Sequence, residues 1–411
     1  MTHPPKNAKE EGGATMNAPD KLADVYERLA DAMDAQPAGF TRTPNKLEIK
    51  LLRLVFTPKQ ALVASTMSRK LETAAEIAAR VGLPEDEVTV ILESMVPRRM
   101  VRRDTLALES GQKGVDKLDV TSSKAEAETA KTYRINPFLV GWYESYLWED
   151  VPESTSTEFA RTYEQYVIEG GGEKVFCPRP GPQGVIPYLG SLKPEWLKRE
   201  PHNDIAAHFQ RHDRFLVMDC VCKRQKVFAH GHSCELPSKR CGFIGMPPAV
   251  PLSETVITRE EAIKRWNELD AMGTMVIEGF YGFTMGAEEP QFVGGCHCCG
   301  CCCTILNAAR LANLDETIQR SNYRAVKDYD KCHSCGECVR RCQFFAHTFD
   351  KATDDKPVYH LDKCVGCGSC GMGCPTGALH LEPVSEEEWF QVPSSFQGWE
   401  EQRLRFLAAQ K

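Results

Sequence analysis

The chain has 411 residues, enough for two or three domains with cores of their own, and an ordinary makeup of 42% hydrophobic and 26% charged residues. A net charge of −7 gives no global attraction to nucleic acid, and no stretch approaches the roughly 18 apolar residues of a membrane span. The abnormal number is 19 cysteines, none of them before Cys177. Disulfide scaffolds of that density are usually short secreted chains. The polar N-terminal segment lacks the apolar run of a signal peptide, so the expectation is a cytoplasmic metal protein.

In chain order, residues 1–40 read as a flexible tail with a short helix at Lys21–Met33, and Met16 is an alternative start. Residues 41–135 read as a winged-helix-like domain. Leu47, Leu51, Leu54 and Val55 recur at helical spacing. Thr73 and Glu76 form a capping box ahead of a short helix, which Gly82-Leu83-Pro84 ends. A further helix starts at Glu85, with Val88, Ile91, Leu92 and Met95 on one face, and Arg99–Leu108 reads as the first strand of a wing. The polar stretch 110–130 is a long wing loop or linker.

Residues 136–325 form a mixed, cysteine-rich middle domain, aromatic near Trp142–Trp148, with a helix entered at Ser253 and running to about Asp270. Residues 326–383 carry a repeated cysteine motif. Residues 384–411 read as a C-terminal helical tail that docks back or binds a partner. The fold class expected is α+β, multidomain.

The repeated motif is C-x2-C-x2-C-x3-C, first on Cys332, Cys335, Cys338 and Cys342, then on Cys364, Cys367, Cys370 and Cys374. Three cysteines in a tight turn can wrap three corners of one cube. Gly336, Gly366, Gly368 and Gly371 let the backbone come close. Zinc also takes C-x2-C pairs, but eight cysteines in this double register favour iron. Ala325–Val326 and Val358–Leu361 flank the runs as strand pieces.

The tandem runs resemble those of bacterial two-cluster ferredoxins, with Gln343 where Pro is usual in the first run. That resemblance implies two [4Fe–4S] clusters, one on Cys332, Cys335, Cys338 and Cys374, the other on Cys364, Cys367, Cys370 and Cys342. Departure from Pro at Gln343 should mildly alter packing near Cys342.

Removing eight cysteines from 19 leaves 11. Cys220, Cys222, Cys234 and Cys241 form C-x-C-x11-C-x6-C. Cys296, Cys298, Cys299, Cys301, Cys302 and Cys303 crowd into eight residues, and Cys177 stands alone as a core or surface thiol. Neighbours so close cannot all be buried and inert, so they need a metal partner. The first group reads as a third cluster or a zinc site, with His230 and His232 as the reason to weigh zinc. The second reads as a further cluster whose ligand subset is open, with His297 inside the run. The two groups either form separate sites or share one.

Over roughly residues 45–383 the chain resembles multi-cluster ferredoxin-like proteins with a winged-helix-like N-terminal region, found in anaerobic bacteria and archaea. The matching pieces are Thr73–Met95, Asp219-Cys-Val-Cys-Lys-Arg with Cys234 and Cys241, Cys298-Cys-Gly-Cys-Cys, and the tandem runs. Cys296 and Cys303 are additions to that pattern. The resemblance implies an iron–sulfur electron-transfer protein, a carrier or an oxidoreductase subunit, passing single electrons between redox partner proteins through at least two [4Fe–4S] clusters. No Walker loop, nucleophile elbow or Rossmann fingerprint competes with this. A redox-sensing DNA-binding regulator is the alternative, but Glu85-Asp86-Glu87 and Glu93 on the reading helix repel phosphate, so DNA is an unlikely partner. An anaerobic oxidoreductase subunit with a catalytic middle cluster is the other.

Overall fold

A computed structural model describes residues 24–68, 70–106, 130–147, 151–172, 183–200, 203–212, 215–244, 255–273, 276–280, 294–311, 318–349, 356–391 and 396–409. Cys177, most of the expected wing loop and residues 1–23 lie outside them.

Among the described residues five helices come first: α1 (Val25–Asp34), α2 (Leu47–Val55), α3 (Pro58–Ala64), α4 (Ala74–Val81) and α5 (Glu85–Met95). Local chemistry sets several boundaries. Thr57 with Gln60, and Thr73 with Glu76, form capping boxes that start α3 and α4, and Pro58 suits the first turn of α3. Gly82, in the left-handed conformation at φ 69°, stops α4. The face of α5 read from the sequence, Val88, Ile91, Leu92 and Met95, is the buried one. A small antiparallel sheet follows, with β3 (Ala130–Ile135) between β1 (Glu72–Thr73) and β2 (Val101–Leu106). Residues 24–40 are not a loose tail: Val25, Leu29, Ala30, Met33 and Phe40 belong to the main core, because α1 carries its apolar residues at helical spacing.

That core continues into an aromatic wall. Phe138, Trp142, Tyr143, Phe159, Tyr163 and Tyr166 pack with Phe40 and Phe56 at tilted and edge-to-face angles, several of them on α6 (Glu153–Tyr166).

The middle region is built on a six-stranded antiparallel sheet. Its strands are β4 (Gln183–Ile186), β5 (Phe215–Asp219), β6 (Lys239–Ile244), β7 (Thr255–Ile257), β8 (Val276–Phe280) and β9 (Gly294–Cys298). The order is β4-β8-β9-β6-β5-β7. The helices here are α7 (Pro194–Arg199), α8 (Ile205–Arg211), α9 (Val221–His230), α10 (Arg259–Met272) and α11 (Thr304–Leu311). Thr258 caps α10. Antiparallel pairing places the end of β5, the start of β6 and the end of β9 at one end of this sheet, with Cys241 opposite Cys296.

The repeated cysteine segment forms two short ribbons, β10 (Tyr323–Lys327) with β13 (Leu379–Pro383) and β11 (His347–Phe349) with β12 (Pro357–Tyr359). Between them lie α12 (Glu337–Arg341) and α13 (Ser369–Met372). The last helix, α14 (Phe396–Ala409), docks back on the N-terminal part. Trp399 and Arg403 are buried, Glu400 pairs with Arg134 at 2.9 Å, and the Arg403 guanidinium donates to the Pro37 carbonyl. No helix among the described residues is long and apolar enough to cross a membrane.

Candidate metal centres

The two cysteine runs are conformational repeats as well as sequence repeats. Gly336 and Gly368 hold φ near +74° and +80° at the start of α12 and α13, and Gly366 holds +74°. The counterpart of Gly366 in the first run is Ser334, also left-handed at +57°, and Phe345 at +55° matches Gly377 at +63°. Both runs therefore bend their backbone the same way around what they enclose.

The fourth cysteine of each run crosses to the other. Cys332, Cys335, Cys338 and Cys374 line one cavity with Lys327, Pro357 and Thr376. Cys342 is among the charged neighbours felt by Cys367 and Cys370, together with Cys364. Burial pushes the Cys367 thiol up to about 12 and raises Cys338, Cys342 and Cys370 as well. Thiols so placed ionise only against a bound cation, so the donor set fits a metal cluster.

The middle cysteines divide differently from their order in the sequence. Cys234, on the loop after α9, does not sit with Cys220, Cys222 and Cys241. Its thiol gathers with those of Cys299, Cys301 and Cys302, all four within 4.8 Å of one another. The other six form a string of touching thiols, Cys303–Cys222–Cys220–Cys241–Cys296–Cys298. Sheet pairing is the cause: Cys220 follows β5, Cys241 is on β6, and Cys296 and Cys298 end β9. The neighbouring thiol above all, with burial adding, holds Cys222, Cys241 and Cys296 well above the usual thiol range.

The histidines stay out of both groups. Strand alternation on β9 turns His297 to the face opposite Cys296 and Cys298, where it pairs with Asp270 at 2.7 Å and packs on Trp266. His230 pairs with Glu164 at 2.6 Å on an exposed face.

Three residues to which the sequence assigned no role adjoin the middle cysteines. Arg240, 2% exposed, spans both groups, donating to Cys299 Sγ at 3.1 Å and Cys220 Sγ at 3.6 Å. Burial alone would lower its pKa, but the facing thiolates of Cys220 and Cys299 raise it. Lys223, 6% exposed, donates to the carbonyls of Cys234 at 2.6 Å and of Leu236. Tyr143 is fully buried, feels Cys222 and Cys220, and its hydroxyl has no hydrogen-bond partner among the described residues. The signals in the sequence were the basic residues adjoining Cys222 and Cys241.

Several hydrogen bonds join this region to the cysteine repeat, among them those of Arg341 and Ser369 to the Gly273 carbonyl. The side-chain oxygen of Gln343 accepts from the Gly300 N–H at 2.8 Å, tying the residue after Cys342 into the loop of Cys299 and Cys301. The Tyr188 N–H donates to the Cys367 carbonyl at 2.9 Å. The departure at Gln343 therefore adds a hydrogen bond between the two cysteine-bearing segments.

Residues 331–378 match the family model of the 4Fe-4S dicluster domain. No curated protein and no solved structure matches the chain. The matched segment and the four-thiol group together mark an iron–sulfur, metal-binding protein, and they support an electron-transfer role in general terms.

Proposed function

We propose that this protein passes single electrons between redox partner proteins through two [4Fe–4S] clusters in residues 326–383. One cluster is held by Cys332, Cys335, Cys338 and Cys374, the other by Cys364, Cys367, Cys370 and Cys342. The observation that carries this reading is the cavity that Cys374 shares with the three cysteines of the first run, the crossed arrangement expected of a two-cluster module. The clusters supply reversible one-electron chemistry. The chain's own residues enclose them, keep water from the buried cysteines and set their electrostatic surroundings. The string Cys220, Cys222, Cys241, Cys296, Cys298 and Cys303 is a further place for thiophilic metal, whether iron or zinc.

A winged-helix-like reading of residues 41–135 rests on the order of α4, α5, β2 and β3. It suits protein contact better than DNA. The α5 surface opens on three acidic residues, Glu87 pairs with Lys59, and Glu93 already engages Arg103, Lys131 and Tyr133 of the small sheet.

The test is iron and acid-labile sulfide on anaerobically purified full chain and on Cys335→Ser and Cys367→Ser. Each variant should lose or convert one cluster, a change of up to about four irons. Fewer than about four irons per chain in folded wild-type protein would sink the reading.

A further inference from the structure

We propose that Cys234, Cys299, Cys301 and Cys302 hold one divalent thiophilic ion, zinc or ferrous iron, in tetrahedral S4 coordination, and not the corners of an iron–sulfur cube. The spacing of the sulfurs separates the two. A tetrahedron with metal–sulfur bonds near 2.3 Å has edges of about 3.8 Å. Cysteines on one cube are each bound to a different iron, which puts their sulfurs on the order of 6 Å apart. Here Cys234 Sγ lies 3.8 Å from Cys299 Sγ, Cys301 Sγ lies 3.2 Å from Cys299 Sγ, and all four fall within 4.8 Å. The eight cysteines of the ferredoxin-type repeat make no group so tight.

Backbone geometry builds the site from two segments. Cys299-Gly-Cys-Cys is one tight turn, in which the N–H groups of Cys302 and Cys303 both donate to the Cys299 carbonyl. That turn directs three thiols to one place. Cys234 closes the tetrahedron from the loop after α9, where Lys223 holds the carbonyls of Cys234 and Leu236.

Charge gives an independent reason. Four thiolates around a divalent ion carry a net charge of about −2. Two buried cations adjoin them: Arg240 on the Cys299 sulfur, and Lys223 on the Cys234 backbone. Buried cations are retained only against negative charge, and a dianionic centre is what this pair neutralises. Three of the four cysteines are wholly or partly buried, and Cys301 is exposed, so the centre has one open side.

This inference stands apart from the two-cluster reading and is tested separately from it. Zinc, iron and labile sulfide are measured on anaerobically purified full chain and on Cys234→Ala and Cys301→Ala, with X-ray absorption at the edge of the metal that changes. The expected result is loss of about one metal ion per chain with sulfide unchanged and, where that ion is zinc, a wild-type zinc edge with a sulfur shell near 2.3 Å and no short metal–metal shell. Zinc or iron as the lost ion supports the proposal equally. Loss of several irons together with sulfide, or a metal content unchanged in both variants, overturns it. Cys301→Ala, at an exposed position, keeps the test valid if Cys234→Ala fails to fold. Wild-type protein without iron in residues 326–383 but with this ion would overturn the two-cluster reading alone.

Discussion

The ferredoxin-type repeat and the middle thiol region solve one problem, the gathering of cysteines, by opposite routes. In the repeat, three of each four come from one turn, and glycines at φ near +74° and +80° shape that turn. In the six-thiol string of the middle region, Cys241 and Cys296 sit on different strands, and sheet register brings them together. A turn-built site is written in local spacing. A register-built site depends on which strands pair, and it shares its stability with the sheet.

The sharpest break in that comparison is expected at Gly366. A Cβ there would collide with the Ser321 hydroxyl and the Tyr323 carbonyl, and the backbone is left-handed. Gly366→Ala should cost about 3 kcal/mol in chemical denaturation and lower iron retention in residues 326–383 before it affects the middle region.

The two regions should also respond to pH with opposite signs. Glu144, fully buried in the aromatic wall behind the middle thiols, is pushed up to about 7 by burial, while its carboxylate accepts from the Gly141 N–H at 2.7 Å. Its contribution is whole below about pH 4.5 and is lost as pH rises toward 7, on the order of 3 kcal/mol. His347 in the repeat is lowered to about 4 by burial, with Lys327 adding to the effect. Its contribution is present above about 6.5 and is lost as pH falls toward 4, by a similar amount. Glu144→Gln should flatten only the limb above pH 4.5 in thermal melts, and His347→Gln only the acidic limb.

A smaller effect tests the joint between the regions. Gln343→Ala removes the acceptor for the Gly300 N–H and should cost about 1 kcal/mol, read as a lower denaturation midpoint. The smallest change is a gain. Ser334→Gly matches the first run to Gly366 of the second and should stabilise by about 0.5 kcal/mol, since serine at φ +57° carries a left-handed penalty that glycine lacks.

Much of the fold could be read from local signals. The Thr73–Glu76 capping box, the buried face of α5, the β2 strand and the strand pieces at Ala325–Val326 and Val358 all stand where spacing and propensity put them. The helix expected from Ser253 starts at Arg259, where Thr258 supplies the cap; Ser253 itself lies outside the described residues. The partition of the middle cysteines was not legible. Nothing near Cys234 signals that it leaves Cys220, Cys222 and Cys241 for the Cys299 turn, since the pairing of β6 with β9 is a long-range event. One part was within reach: C-H-C in a strand puts the histidine on the far face, which excludes His297 as a partner of Cys296 and Cys298.

The crossed position of Cys374 has a consequence for how the protein is made. With the proposed ligand sets, the first run cannot close its cluster until the end of the second has left the ribosome, and Cys234 must wait for the Cys299 turn. Metal insertion thus waits until both runs have been made. The α14 helix that clasps the N-terminal part is made after them, so that clasp forms later than either ligand set is complete.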